Sequence, residues 1–317
     1  MNLYRSACAA ALLVTSAMAI AGKPGSTTFE PELAYTILTG STELRVTDAT
    51  GVKSATLYSI RQNVDIDLSP RAQRQIAMGE LNTLKLLTYS VDSSGVKTTS
   101  VVTLYTGAAR IDDVDFSPDG SKIAFTEGFT RLMVFDLSQP AGPTNPSQWA
   151  SDPGGFISQA TWYKGGASIA YVGPLGVSPD QYVFEVAGPG ATPTALLHEV
   201  NIDMIDASRT DPDALVVTYN RNPGPRVGLW KAGGYVNESL TGNVSSDFGS
   251  LNCDDTKLVY GTPDSKGQLI WRIRTLPSGP DVLYTKTLRV RQTQFMPTCA
   301  AAASSTSDAF QFREVPH

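Results

Sequence analysis

Apolar and polar positions alternate along this chain in short runs, and the runs recur. Residues 111–127 read IDDVDFSPDGSKIAFTE: an alternating run ending at Phe116, a Ser-Pro-Asp-Gly turn, then a second apolar run. The pattern predicts two antiparallel strands joined by a tight turn. Pro118 presets φ, Asp119 can bond its own backbone, and Gly120 supplies a positive φ. With Phe116 as reference, equivalent apolar positions fall at Leu68, Trp162, Ala207, Leu251 and Phe295. The successive spacings are 48, 46, 45, 44 and 44 residues, which indicates a repeat architecture.

Each copy but the last runs on into three more short strands. The second strands are QIAM, KIAF, SIAY, ALVVTY and KLVY; the third are LKLLTYSV, RLMVFDL, QYVFEVA, VGLWKA and QLIWRIR. The fourth are weaker: VVTLYT, SQWA, TALLHEV, YVNESL and DVLYTK. Four antiparallel strands per period predict a propeller blade, and a blade buries both faces only when neighbours stack on it. Three further strands, ELAYTIL, ELRVTD and VKSATLY, precede the first copy, while RVRQTQF, the last leading strand, has no blade after it. Joining the two ends removes the edge an open array would expose. The expected fold is all-β, a six-bladed β-propeller of four-stranded antiparallel blades. Its closing blade comes from about 29–60 plus 288–299 within one domain, 22–317. The tail 300–317, with AFQFREV, has no place in this count.

The segment VDFSPDGSKIAF resembles the WD40-like repeat of TolB-type β-propellers. The full motif stands only in this copy; LSPRAQRQIAM keeps Ser69-Pro70, and the others have diverged. The resemblance implies a propeller and envelope-associated protein partners. TolB proteins carry an α/β domain ahead of the propeller, for which the expected mature chain has no room, so that domain's functions are not carried over.

At the N-terminus, Arg5 precedes the apolar run Ala7–Ala21. As a helix this run reaches about 22 Å, too short for a hydrocarbon core of about 30 Å. It ends in small-x-small sites, Ala17-Met18-Ala19 and Ala19-Ile20-Ala21, so residues 1–21 are expected to be a cleaved signal peptide. No later stretch is apolar enough to span a membrane. Export to the periplasm or the medium leaves Cys253 and Cys299 in an oxidising compartment, either as a disulfide or as two buried thiols. Both align with the first turns of consecutive blades. A bond there would close a loop of 46 residues and stabilise by roughly 4 kcal/mol.

Charge and chemistry narrow the function. A net charge of −5 disfavours nucleic acid and anionic lipid as partners. Histidine is nearly absent: His198, expected at a blade edge, and the terminal His317. No triad, zinc motif, nucleophile elbow or phosphate loop is present, so no catalytic, metal or cofactor residue is assigned. Asp113, Asp115 and Asp119 lie close together in sequence, but Ser117 and Ala124 occupy positions where an EF-hand loop needs ligands.

The residues just before the reference positions are polar in every copy: Asp67, Asp115, Thr161, Asp206, Ser250 and Gln294. The first strand of each blade lines the central channel. These six either form an acidic mouth suited to a cationic or polar peptide, or satisfy backbone groups between blades. The leading expectation is an exported, non-catalytic, monomeric scaffold for a protein or peptide. The alternatives are an exported enzyme acting on glycans or peptides through paired carboxylates, and a structural ring in a larger assembly.

Overall fold

The first strands of the chain are β1 (Leu33–Thr39), β2 (Ser41–Thr47) and β3 (Ser54–Ile60), antiparallel neighbours in that order. A computed structural model describes residues 33–295, except 40, 48–53, 61–63, 71–73, 93–94, 153–154, 175–180, 200, 222–223, 242–245, 253, 264, 266–268, 278, 280 and 286–289. The expected signal segment, Cys253, Cys299, His317 and the tail 300–317 lie outside the described residues.

Four-stranded antiparallel blades then follow one another. The first is β4 (Val64–Leu68), β5 (Gln75–Glu80), β6 (Thr83–Asp92) and β7 (Gly95–Thr106). The second is β8 (Ile111–Phe116), β9 (Lys122–Glu127), β10 (Arg131–Asp136) and β11 (Ser147–Ser151). The third is β12 (Ser158–Tyr163), β13 (Ser168–Pro174), β14 (Gln181–Val186) and β15 (Thr194–Glu199). The fourth is β16 (Ile202–Ala207), β17 (Ala214–Arg221), β18 (Gly224–Lys231) and β19 (Gly234–Asn237). The fifth is β20 (Asp247–Leu251), β21 (Lys257–Pro263), β22 (Leu269–Thr275) and β23 (Asp281–Thr285). The last strand, β24 (Val290–Phe295), returns to pair with β1, giving a sheet in the order β24-β1-β2-β3. The fold is all-β, a propeller with four-stranded antiparallel blades.

Alternation explains how the blades stack. Successive side chains of a strand point to opposite faces, so one strand feeds two interfaces. Ile123 and Phe125 of β9 pack with Leu84, Leu104 and Tyr105 of the first blade, while Ala124 between them packs toward Trp162 and Ile169 of the third. In β17, Leu215 and Val217 join Tyr163 and Val172 of the third blade, and Val216 joins Leu251 and Tyr260 of the fifth. Strands covered on both faces read as continuous apolar runs, which is why KIAF and SIAY show no polar alternation.

The turn in SPDG recurs in geometry after its sequence has diverged. Asp119 accepts from Ser121 N at 3.0 Å, and Ser117 Oγ accepts from Lys122 N at 2.9 Å. In the fifth blade Asp254 accepts from Thr256 N at 3.1 Å, and Asn252 Oδ1 accepts from Lys257 N at 2.8 Å. At the other end of the strands the β5–β6 and β9–β10 turns carry Leu81 and Phe129 at φ 55° and 56°. Each turns its carbonyl to the next blade, accepting from Ile111 N and Ile157 N, both at 2.6 Å. Those bonds offset the left-handed backbone of a bulky residue.

Candidate functional site

The innermost strands carry the polar positions singled out by the repeat. Asp67 Oδ2 accepts from the backbone N of Phe116, one blade on, and its Oδ1 from Leu68 N at 2.7 Å. Asp115 Oδ2 accepts from Trp162 N at 2.7 Å, and the indole Nε1 of Trp162 donates to Asp115 O at 3.0 Å. Thr161 Oγ1 accepts from Ala207 N at 3.4 Å. Asp206 Oδ2 accepts from Leu251 N at 3.0 Å and from Ser250 Oγ at 2.7 Å. In four successive steps, then, the residue before the reference position holds the backbone N–H of the next reference position. Asp67, Asp115, Thr161, Asp206 and Ser250 are all buried, at 2–5% exposure. Gln294 lies in β24 opposite Ala34; its side chain is outside the description.

A second row of inner-strand carboxylates lies toward the opposite mouth. Asp113, at φ 53° in a bulge of β8, accepts from Ala160 N. Asp113, Asp115 and Asp119 therefore serve three separate backbone partners. Asp112 Oδ1 pairs with Arg110 Nε at 2.5 Å, while its Oδ2 is buried without a hydrogen-bond partner. Burial pushes the Asp112 carboxyl up to about 6, against the pull of Arg110 and helped by the charge of Asp65. Among the described residues, no three His, Cys, Asp or Glu side chains gather as a metal site.

One functional-looking residue escaped the sequence pattern. Arg209, in the β16–β17 turn, places its guanidinium 3.6 Å from Asp206 Oδ1, and the charges of Asp206, Asp115 and Asp67 act on it together. The turn is anchored by Asp255, which accepts from Arg209 N at 3.1 Å and Thr210 N at 2.9 Å. Sequence offers no signal for it, because turn lengths vary between copies and only the fold brings one cation to three blades' acids. His198 is exposed on β15 and stacks on Tyr182 at 4.6 Å, at a blade's outer strand as expected.

Burial pushes the Asp115 carboxyl up to about 6; Arg209 and the Trp162 N–H oppose the shift, and Asp206 adds to it. A carboxylate whose folded pKa exceeds its ordinary 3.8 binds protons more tightly when folded. Its effect on stability is therefore most favourable at low pH and is lost as pH rises through that window, from about 4 to about 6. We expect Asp115→Asn, whose amide oxygen still accepts from Trp162 N, to flatten the fall in thermal midpoint between about pH 4 and about pH 6 in a pH series of melts. An unchanged slope would show that Asp115 is ionised freely in the folded protein.

Comparison with solved structures gives the class. No protein-family profile matches the sequence, and no curated protein is similar to it. The structure of a putative TolB from Agrobacterium tumefaciens superposes with TM-score 0.62 at 14% identity, covering 91% of this chain and all of the other. TolB from Acinetobacter baumannii superposes with TM-score 0.58 at 17% identity, covering 84% of this chain and 66% of that one. An oligogalacturonate lyase in complex with manganese overlaps less, with TM-score 0.48 at 14% identity over 77% of this chain. The protein is a β-propeller, and its fold is that of TolB-type propellers. Among the described residues no helix is long and apolar enough to cross a membrane.

Proposed function

We propose that this chain is an exported, non-catalytic binding scaffold of the bacterial envelope or the medium, a six-bladed TolB-like propeller whose channel takes a protein or peptide segment bearing Lys or Arg. The observation that carries this reading is the charge of the inner wall. Strands β4, β8, β12, β16 and β20 carry eight Asp and no Lys or Arg, and β24 adds the single cation Arg291, so acidic positions predominate on the leading strands. Low-dielectric walls in which one sign predominates focus field toward the opposite charge. Asp67, Asp115, Thr161, Asp206 and Ser250 hold the wall together, and Asp112, on the row toward the opposite mouth, feels the charge of Asp65 beside it. Closure as six blades is supported by one core cluster. It joins Val259 and Trp271 of the fifth blade to Leu44 and Val46 of the terminal sheet and to Ile66 and Met78 of the first blade.

Calorimetric titration with a short Lys/Arg-bearing peptide and its Glu-bearing counterpart tests the reading. The cationic peptide is expected to bind, more weakly at higher salt, and to lose about tenfold in affinity in the Asp65→Asn/Asp112→Asn protein. Absence of binding, or equal binding of both peptides, would sink the acidic-channel scaffold.

A further inference from the structure

The β16–β17 turn holds Arg209 over one mouth of the channel. The acids whose charges act on its guanidinium, Asp206, Asp115 and Asp67, belong to the inner strands of the fourth, second and first blades. A side chain in the field of all three lies toward the ring axis, over the opening those strands line. Lys164, in the corresponding β12–β13 turn, goes the other way: its Nζ pairs with Glu185 of β14, in its own blade, at 2.8 Å. A basic residue in this turn therefore does not face inward by default.

The backbone of Arg209 is fixed, whereas its guanidinium is held loosely. Asp255, in the β20–β21 turn of the fifth blade, accepts from Ser208 Oγ at 2.5 Å, Arg209 N at 3.1 Å and Thr210 N at 2.9 Å. The guanidinium meets Asp206 Oδ1 at 3.6 Å, longer than the about 2.7–2.9 Å of a charge-assisted hydrogen bond. Asp206 Oδ2 is already engaged by Leu251 N and Ser250 Oγ. Charge rather than a directed bond seats the guanidinium, and the side chain is 27% exposed. Attraction of this kind has no preferred direction, so a second cation competes for the same field.

We propose that Arg209 is a built-in competitor at the channel's cation position: from within the chain it occupies the place among Asp67, Asp115 and Asp206 that a ligand's Arg or Lys would take. The inference rests on the acidic-channel reading and names the residue that limits it. A cationic segment entering by this mouth must displace the Arg209 guanidinium. One entering by the Asp112 mouth meets the same charge at the far end. By either route the resident cation lowers the affinity.

Calorimetric titration of the Lys/Arg-bearing peptide into the wild type and three variants decides it, with circular dichroism melts confirming that each variant folds. Arg209→Gln removes the charge and leaves the bonds to Asp255 in place; it is expected to bind the peptide about tenfold more tightly than the wild type. Arg209→Lys keeps the charge and should stay close to the wild type. Lys164→Gln removes a cation from the same face without emptying the channel, and should gain nothing. If the wild type binds and Arg209→Gln binds no more tightly, or Lys164→Gln gains as much, this inference fails and the scaffold stands. Binding by Arg209→Gln alone supports the resident cation and overturns the reading of the unaltered chain as an open scaffold. Binding by neither overturns both.

Discussion

Replacing Asp206 with leucine should cost the protein about 3–5 kcal/mol at pH 7, read as a lowered urea midpoint. Three groups lose their partner at once. Leu251 N and Ser250 Oγ are left without their acceptor between the fourth and fifth blades, and Arg209 loses its nearest counter-ion. Burial raises the pKa of Asp206, opposed by Arg209 and by the two hydrogen bonds. Asp206→Asn should cost much less, because its amide oxygen keeps both hydrogen bonds and Asp115 and Asp67 still face Arg209. Combining Asp206→Leu with Arg209→Met should recover part of the loss, since the stranded cation goes too. If leucine and asparagine at 206 proved equally mild, the inner hydrogen bonds would not be what holds these blades in register.

Glu127→Ala is the second large effect, about 3 kcal/mol. Glu127 is fully buried at the end of β9 and gathers the connection from the first blade into the second. It accepts from Ala108 N at 2.7 Å, Ala109 N at 3.2 Å and Tyr105 Oη at 3.2 Å, and pairs with Arg131 at 2.9 Å. Gly107 makes the close approach possible, since a Cβ there would stand 2.4 Å from Glu127 Oε1. Glu127→Gln keeps an acceptor for the connection and gives up an ion pair whose arginine is about one-third exposed, so it should cost only about 1 kcal/mol. The two variants also separate by spectroscopy. Burial raises the Tyr105 phenol, and the charge of Glu127 raises it further, so Glu127→Gln should lower its ultraviolet titration midpoint. A midpoint that does not move would place the carboxylate charge elsewhere.

The repeat was legible because each blade reuses one local solution. Every reference residue lies at or next to the end of an inner strand: Leu68 closes β4, Phe116 β8, Ala207 β16, Leu251 β20 and Phe295 β24, with Trp162 one residue before the end of β12. Outer strands were less legible. YVNESL yields only Gly234–Asn237, and VVTLYT belongs to a strand that begins at Gly95. An outer strand has fewer neighbours to satisfy, so its composition is less constrained and its length can drift. The Asn252–Lys257 turn hid for a related reason: asparagine supplies the same acceptor that Ser117 supplies from another side chain.

By itself, the amino-acid sequence determined the period, the four-strand unit, the pairing of the C-terminal strand with the N-terminal ones, and the polar position before each reference residue. These are local, because alternation and turn chemistry act over a few residues and repeat. Only the tertiary structure decided what those polar groups face. Stacking brings a side chain within reach of a backbone 45 to 49 residues away, as Asp206 reaches Leu251 and Asp67 reaches Phe116. It also sets Arg209 among acids from three blades. Each depends on the rotation from one blade to the next, which is a property of packing between blades and is written in no single one.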